Sequence, residues 1–530
     1  MTERDRSADG FRNRVEERLL SRLRPFWQFV NRTPWLARVL NRRIVGLAVG
    51  KLPARPLPLS TMADYTSWAS LNDRSWFGRY LPPATPAQLG QLPPLEEMAE
   101  LYVTRPQGPR LSQRSTLLFP VFAQWFTDGF LMTNDDRRRT RTNHQIDLCQ
   151  LYGLTPAVTD ALRVRSGLAG ERGRLRIVQT PTGEWAPPLY DKQGDRIPGF
   201  EALPAPVHQF PGLAAAKKHS LFAFGGERAN SNCYTAAVNT LFLREHNRLC
   251  GVLERHNPDW DDDRVFEVAR NINIVQLIRI VVQEYINHIS PYWLQLLADP
   301  APARKAEWNR PNWIPVEFNL VYRWHSLIPE QVRWNGADVP IADCQFDNTR
   351  PLSQGLEAAF ISASETRAWA LGLFNTAEML RPTECKSIHQ GRTNRLASYN
   401  DYRQCAGYPR VTRFEQISGD RMVVEALRRI YKGQVDRVEF FVGLFAEDLP
   451  PRSAVPPLIG RMVAADAFSH ALTNPLLAPA VYTVETFTQA GLDSIESTGS
   501  LVDLVRRNTP WAEPGAGRVS MELAGYASSA

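Results

Sequence analysis

Long apolar runs are missing first of all. Nowhere in the 530 residues do about 18 consecutive apolar residues occur, so no segment reads as a membrane-spanning helix. Met1 to Gly10 are polar and lack the apolar stretch of a secretory signal. Cysteine is scarce: Cys149, Cys233, Cys250, Cys344, Cys385 and Cys405 are scattered without a CxxC spacing. That pattern signals neither a zinc site nor a disulfide framework, and it fits reduced thiols in a cytoplasmic protein. The nine histidines (His144, His208, His219, His246, His256, His288, His325, His389 and His470) show no HExxH or other paired metal spacing. A single histidine ligand is therefore easier to accommodate than a multi-histidine metal centre. There is no internal repeat and no glycine-rich phosphate loop.

What is present is an apolar fraction of 43%, enough for a large core, and a formal net charge of +7. The basic residues are uneven. Arg12, Arg14, Arg18, Arg22, Arg24, Arg32, Arg38, Arg42 and Arg43 interleave with Leu19, Leu20, Leu23, Phe26, Trp27, Val30, Trp35, Leu36, Val39, Leu40, Ile44, Val45 and Leu47 at helical spacing. Residues 11–51 thus read as short amphipathic helices. Two readings stand side by side: a basic, aromatic-bearing surface lying on a membrane interface, or a helical hairpin packed on the body with its arginines solvated. A connector, Leu52-Pro53-Ala54-Arg55-Pro56-Leu57-Pro58, cannot be a regular helix. From Leu117 the pattern turns helical. A β-rich excursion is expected near Leu175 to Pro198, then two long helices over 232–293. The second, Val265 to Trp293, is strongly apolar and sets Tyr285, Ile289 and Tyr292 on one face. Residues 300–315 read as a loop, and further helices follow Pro351, Val423 and Pro456. The expectation is a mainly α-helical protein with little strand, divided into a polar tail (1–10), amphipathic membrane-binding helices (11–58), a catalytic domain (59–510) and a C-terminal tail (511–530).

The chemistry centres on residues 317–330, where Tyr322 stands three residues before His325 with Trp324 between them. A neutral imidazole is a common iron ligand, that of haem included. If the segment is helical, the two side chains share a face; the alternative is a core helix with a satisfied histidine and a packed tyrosine. Gln124 and Asp128, four apart, share a face of an apolar helix, and a buried carboxylate is costly unless paired or protonated. Arg228 could supply that charge. Arg244-Glu245-His246-Asn247-Arg248 reads as a hydrogen-bonded structural knot rather than an acid–base site.

Taken in order, Trp27 to Trp35, Phe122 to Thr127, Asp147 to Gly153, Leu243 to Arg248, Tyr322 to His325 and Phe468-Ser469 resemble the cyclooxygenase branch of the animal haem peroxidase superfamily, which holds prostaglandin synthases and fatty-acid dioxygenases. The resemblance runs from about Phe26 to Val505. It implies that His325 binds haem iron as the proximal ligand, beside Trp324, and that Gln124 is the distal glutamine. It implies that Tyr322 carries the radical that takes hydrogen from a fatty acid, with Tyr285 as its hydrogen-bond partner. Phe318, Val321, Trp324, Ile286, Ile289, Ser290 and Ser469 match channel-lining positions, and Tyr292 a tyrosine at the channel mouth.

Three departures from the family pattern stand out. Asp128 occupies the place of the distal histidine, with His144 as a candidate substitute. Arg228 falls where mammalian peroxidases carry a distal arginine, and Ser231 stands at their ester-forming glutamate, so haem b held without covalent attachment is expected. Val49 replaces the arginine that holds the fatty-acid carboxylate in prostaglandin synthases; Lys51 with Tyr292 is the expected anchor, Arg42 and Arg43 being near. The resemblance implies a bacterial, intracellular, peripherally membrane-bound dioxygenase that converts unsaturated fatty acid and O2 to a hydroperoxide or endoperoxide, with peroxide as activator and no nucleic-acid partner. A homodimer is expected by family analogy alone. The alternatives are a peroxidase with small reducing donors, and a haem-binding protein with impaired distal chemistry.

Overall fold

In the computed structural model residues 20–53, 56–206, 212–512 and 517–526 are described. The polar tail, residues 11–19 of the amphipathic segment, Ala54 and Arg55 of the connector, His208, and residues 513–516 and 527–530 of the C-terminal tail lie outside them.

The chain is mainly helical, with four two-stranded antiparallel ribbons among the described residues. The longest helix, Cys233–His256, starts where the Asn232 side chain accepts from the amide groups of Tyr234 and Thr235 at 3.1 and 2.9 Å, a reciprocal cap with Thr235. It packs against the helix Asp262–Ile280, begun by Asp261 accepting from Arg264 N–H at 2.7 Å. The helix Leu118–Phe130 carries Pro120 in its first turn, where the missing N–H costs nothing. It lies on the longest helix with Trp125 stacked on Phe242 at 4.9 Å.

The second long helix differs from the expectation at its far end. After Ile280 it widens into a π-helical stretch, Val281–Ile286, followed by Asn287–Ile289. It stops at Ser290 because Pro291 disfavours helical backbone in the residue before it. Tyr292 therefore lies off the helix and does not share the face of Tyr285 and Ile289. The expected β-rich excursion is the hairpin Val178–Thr180 with Gly183–Trp185. A second hairpin, Gln331–Trp334 with Ala337–Pro340, turns at Asn335-Gly336, both in left-handed backbone. Helices do follow Pro351 and Pro456, at Leu356–Glu365 and Pro457–Leu472, while the third, Arg421–Ile430, begins before Val423 and contains it.

The Arg244–Arg248 knot is structural, as read. Buried Glu245 accepts from Arg248 at 2.7 and 2.8 Å, from Gln276 at 2.9 Å and from Asn508 at 2.9 Å. His246 bridges Tyr152 Oη and the Gly173 carbonyl at 2.9 and 2.8 Å.

Near the N-terminus stand the helices Arg24–Asn31 and Pro34–Val49. Ala37, Asn41, Val45 and Val49 form a buried stripe at four-residue spacing. Buried Asn41 donates to Gln295 O and accepts from Leu297 N–H at 2.9 and 3.1 Å, and Asn31 donates to Trp293 O at 2.8 Å. The pair is thus pinned to the loop that carries Tyr292. Away from that stripe, Phe29, Trp35 and Leu47 are 61, 69 and 58% exposed, an apolar surface that the body does not cover. Among the described residues no helix is long and apolar enough to cross a membrane.

Glu284 sits in the π-helical stretch and accepts from Leu501 N–H at 2.7 Å. Burial pushes its carboxyl up to about 7, opposed by that amide and reinforced by Asp503. Between pH 4.5, the ordinary value, and about 7 the folded chain holds a proton that the unfolded chain releases. Stability from this group is therefore full below pH 4.5 and is lost as pH rises through about 7. Urea denaturation of Glu284→Gln beside the wild type at pH 5 and pH 8 is expected to show the variant gaining ~2 kcal/mol on the wild type at the higher pH, each pKa unit being worth about 1.4 kcal/mol. Parallel profiles would contradict this.

Candidate functional site

Two polar clusters and an aromatic core make up the site. The first cluster lies on the helix Leu118–Phe130. Gln124 Nε2 donates to Asp128 Oδ2 at 3.4 Å, so the four-residue spacing does place them together. Arg228, in the turn before the longest helix, donates Nη1 to Asp128 Oδ1 at 3.0 Å, as the sequence suggested. Asn232 donates Nδ2 to Gln124 Oε1 at 3.1 Å and so ties the helix cap to the cluster. Burial pushes the Asp128 carboxyl up, while the Arg228 guanidinium and the Gln124 amide pull it back. The same pairing raises Arg228. The Ser231 hydroxyl donates to the Arg228 carbonyl at 2.8 Å. His144 is no substitute base: its Nε2 meets the Arg74 carbonyl at 2.5 Å, its Nδ1 accepts from Ile314 N–H at 3.1 Å, and burial lowers it to about 4. It is a neutral, fully engaged core imidazole.

The second cluster forms where the Tyr322–His325 segment departs from a continuous helix. Helix Val316–Val321 starts after Pro315 and ends at Tyr322. Trp324 Nε1 donates to the Val321 carbonyl at 2.5 Å, and Trp324 N–H to the Tyr322 carbonyl at 3.0 Å. The indole thus takes an acceptor that another helical turn would need. His325 begins a separate 3₁₀ turn, His325–Leu327. Tyr322 and His325 are accordingly not on one helical face, and the turn between them separates their directions. His325 Nδ1 lies 3.0 Å from Glu384 Oε2. Glu384 is buried on the helix Arg381–Thr393 and accepts from Thr376 Oγ1 at 3.1 Å through its other oxygen. Arg323, half-buried, donates to Asn319 Oδ1 at 2.6 Å and Gln390 Oε1 at 3.3 Å. Its guanidinium is lowered to about 10 by burial and Arg228, against Asp128 and Glu384, so it feels both clusters.

The aromatic core surrounds Tyr322. Its ring lies 5.1 Å from Phe318 and 5.0 Å from Trp324. Tyr285, in the π-helical stretch, lies 5.3 to 6.4 Å from Phe119, Phe122, Phe126 and Trp324. The buried Tyr322 and Tyr285 hydroxyls interact with each other but close no well-directed hydrogen bond. Burial pushes both phenols above the ordinary range. The helix Pro457–Leu472, with buried Ser469, packs on the helix carrying Phe318 and Val321, on the π-helical stretch with Tyr285 and Ile286, and on helix Pro34–Val49. Ile286, Ile289 and Ser290 are buried in the same region. Ser469 donates to the Asp466 carbonyl at 3.0 Å, and Ser290 accepts from Tyr292 N–H at 3.2 Å. Lys51, half-buried, follows helix Pro34–Val49; Tyr292, half-buried, lies in the loop to which that helix is pinned. A cavity of about 820 Å³ lined by Arg174, Arg244, Arg248, Arg255 and Arg507 contains none of these residues.

Glu384, Arg323 and Asn232 were not anticipated. Asn232 has a local signal, a capping residue just before a helical pattern. Glu384 has none, because its partner is remote in sequence and a lone acid in a polar helix reads as solvated.

Comparison with known proteins identifies the family. A profile of the animal haem peroxidase family matches residues 104–516. Prostaglandin G/H synthase 1 of Rattus norvegicus is 30% identical over 497 residues, 91% of this chain and 79% of the relative. Prostaglandin G/H synthase 2 of Equus caballus is 27% identical over 503 residues, 92% and 80% of the two chains. Among solved structures, the fatty acid alpha-dioxygenase of Oryza sativa superposes with a TM-score of 0.68 at 16% identity, covering 85% of this chain and 84% of that one. Peroxidase A of Dictyostelium discoideum gives 0.65 at 18%, covering 88% and 99%. At such identities the superpositions establish the fold. The sequence relationship and the family match establish membership: this chain is an oxidoreductase of the animal haem peroxidase family, in its cyclooxygenase-like branch.

Proposed function

We propose that the chain is a haem-dependent dioxygenase of unsaturated fatty acids acting through a radical on Tyr322, with residues 59–510 as its catalytic domain. The observation that carries this reading is the environment of Tyr322. It is a buried phenol three residues from the expected iron ligand, enclosed by Phe318 and Trp324, with the Tyr285 phenol beside it and the buried Asp466 carboxyl near enough to act on it.

The residues present fit a haem. His325 Nδ1 faces the carboxylate of Glu384 and has no well-directed bond elsewhere, which leaves Nε2 as the ligating nitrogen. Gln124, Asp128 and Arg228 would supply polar groups to a bound haem, and with Ser231 rather than a carboxylate beside them the group expected is haem b held without an ester bond. When bound, haem supplies the one-electron oxidant. The protein supplies position. Tyr322 loses a hydrogen atom, and its phenoxyl oxygen takes one from a substrate methylene, restoring the phenol and leaving a carbon radical. Oxygen adds to that carbon, and the peroxyl radical recovers hydrogen from Tyr322, giving the hydroperoxide and the phenoxyl again. Phe318, Val321, Ile286, Ile289, Ser290 and Ser469 hold the acyl chain so that one methylene faces Tyr322. Lys51 with Tyr292 is the proposed carboxylate anchor. The exposed Phe29, Trp35 and Leu47 with the arginines beside them suit one leaflet of a membrane, from which a fatty acid enters.

Asp128 is the base for peroxide activation, poised by burial against Arg228. That ion pair also supports a second reading, a peroxidase that oxidises small donors.

Two measurements separate these. In an oxygen electrode with linoleate or arachidonate, the haem-loaded protein is expected to consume O2 and Tyr322→Phe to lose at least ~99% of the rate while keeping its Soret band; equal uptake would sink the tyrosyl mechanism. Brisk dye oxidation without fatty-acid-dependent uptake would favour the peroxidase. Asp128→Asn retains a group for Gln124 and Arg228 to bond but removes the base. Its rate of peroxide consumption is expected to fall about 10²-fold, the lower end of general acid–base effects, and an unchanged rate would show that Asp128 is not the base.

A further inference from the structure

We infer that Glu384 is a positioning residue that holds His325 from behind and gives its imidazole partial imidazolate character, so that this chain favours ferric over ferrous iron through a carboxylate on the proximal side. The inference rests on His325 being the iron ligand.

Three observations lead to it. First, His325 Nδ1 and Glu384 Oε2 are 3.0 Å apart, and neither atom has another hydrogen-bond partner. The contact lies off the N–H axis and is not a hydrogen bond as it stands; turning the ring toward Glu384 would close it. Second, Glu384 is held from two directions. Its residue is 3% exposed, and its other oxygen accepts from Thr376 Oγ1 at 3.1 Å. Thr376 is itself fully buried. Third, the helix that bears Glu384 is fixed to the proximal segment at a second point: Gln390 accepts from Arg323 at 3.3 Å and donates to Asn319 Oδ1 at 3.2 Å. The helix is thereby fixed to the proximal segment, and the carboxylate can swing away from the ring only by leaving Thr376.

The consequence is electronic as well as geometric. An imidazole that donates Nδ1–H to a neutral group remains a neutral ligand. Donation to a carboxylate draws the proton toward oxygen, fixes the tautomer with Nε2 free, and makes the ring a stronger donor to a metal. A stronger anionic donor stabilises the more highly charged iron and lowers the ferric/ferrous potential. This complements the opposite cluster. Asp128, held against Arg228, is a less versatile proton carrier than an imidazole would be, so electron donation from behind His325 carries more of the task of activating peroxide.

The test uses the full-length, haem-loaded protein and three variants, Glu384→Gln, Glu384→Ala and Glu384→Asp. The readouts are the ferric/ferrous midpoint potential by spectroelectrochemistry and the iron–histidine stretching band of the ferrous protein by resonance Raman. Glu384→Gln keeps shape and bonding capacity but removes the charge. Its midpoint is expected to move positive and its iron–histidine band to lower frequency, with Glu384→Ala at least as far shifted. Glu384→Asp is expected to recover part of both shifts, which a purely packing role would not produce. A midpoint and band in Glu384→Gln equal to those of the wild type would overturn the inference. Absence of any iron–histidine band in the wild type and in all variants, with a Soret band present, would instead overturn the assignment of His325 as ligand.

Discussion

The hydrogen bond from the Trp324 indole to the Val321 carbonyl is the constraint on which the site depends. Without it, the apolar run from Val316 could propagate as helix, and Tyr322 and His325 would lie one above the other on the same face. The indole stops the helix at Tyr322 and the chain turns. The phenol is then left among Phe318, Trp324 and Tyr285, while the imidazole meets Glu384. One tryptophan thus divides three adjacent positions into an apolar compartment and a polar one. The division suits a reaction in which an oxidising equivalent is made in one place and used in another. Haem, the fatty acid and the radical itself are parts of the proposed function, whereas the division is in the fold.

Electrostatics follow the same division. Two anions, Asp128 and Glu384, lie in separate clusters, and Arg323 feels both. Each anion is held by a specific partner: Asp128 by Arg228, Glu384 by Thr376 and the His325 ring. Buried charges persist only when paired or hydrogen-bonded, and breaking such a pair leaves a bare charge costing several kcal/mol. The aromatic compartment has one acidic neighbour, buried Asp466, which accepts from Tyr80 Oη and acts on Tyr322. Its phenols are pushed toward the neutral form by burial, which suits loss of a hydrogen atom better than loss of a proton.

Much of this was legible in the sequence, where local spacing carried the signal. Gln124 and Asp128 meet because four residues make about one helical turn. The Arg244–Arg248 knot was readable because five polar residues interrupt an apolar helix, and its members bond to Gln276, Asn508, Tyr152 and Gly173. The order of the helices and the hairpin near Val178 also followed from local pattern. What was not legible needed tertiary information. The break at Tyr322 comes from a side chain capping the helix behind it, and helical spacing alone cannot reveal that. Pro291 did carry a local signal, the bias it imposes on Ser290, yet the apolar periodicity through Trp293 masked it, so Tyr292 was placed on a face it does not occupy. Glu384 approaches His325 from a distant helix. The N-terminal segment follows the packed reading, a buried stripe through Asn41 docking it on the body, while its other face leaves Trp35 and Phe29 uncovered, the surface on which the proposed membrane contact rests.

The central claim is that Tyr322, rather than another of the buried tyrosines, carries the oxidising equivalent. Freeze-quench electron paramagnetic resonance of the haem-loaded protein mixed with peroxide tests it most directly, with Tyr322→Phe and Tyr285→Phe compared beside the wild type. Expected are a tyrosyl signal in the wild type, a signal of altered hyperfine shape in Tyr285→Phe because the neighbouring phenol is gone, and loss of the signal in Tyr322→Phe. The same tyrosyl spectrum, at the same yield, in the wild type and in Tyr322→Phe would contradict it.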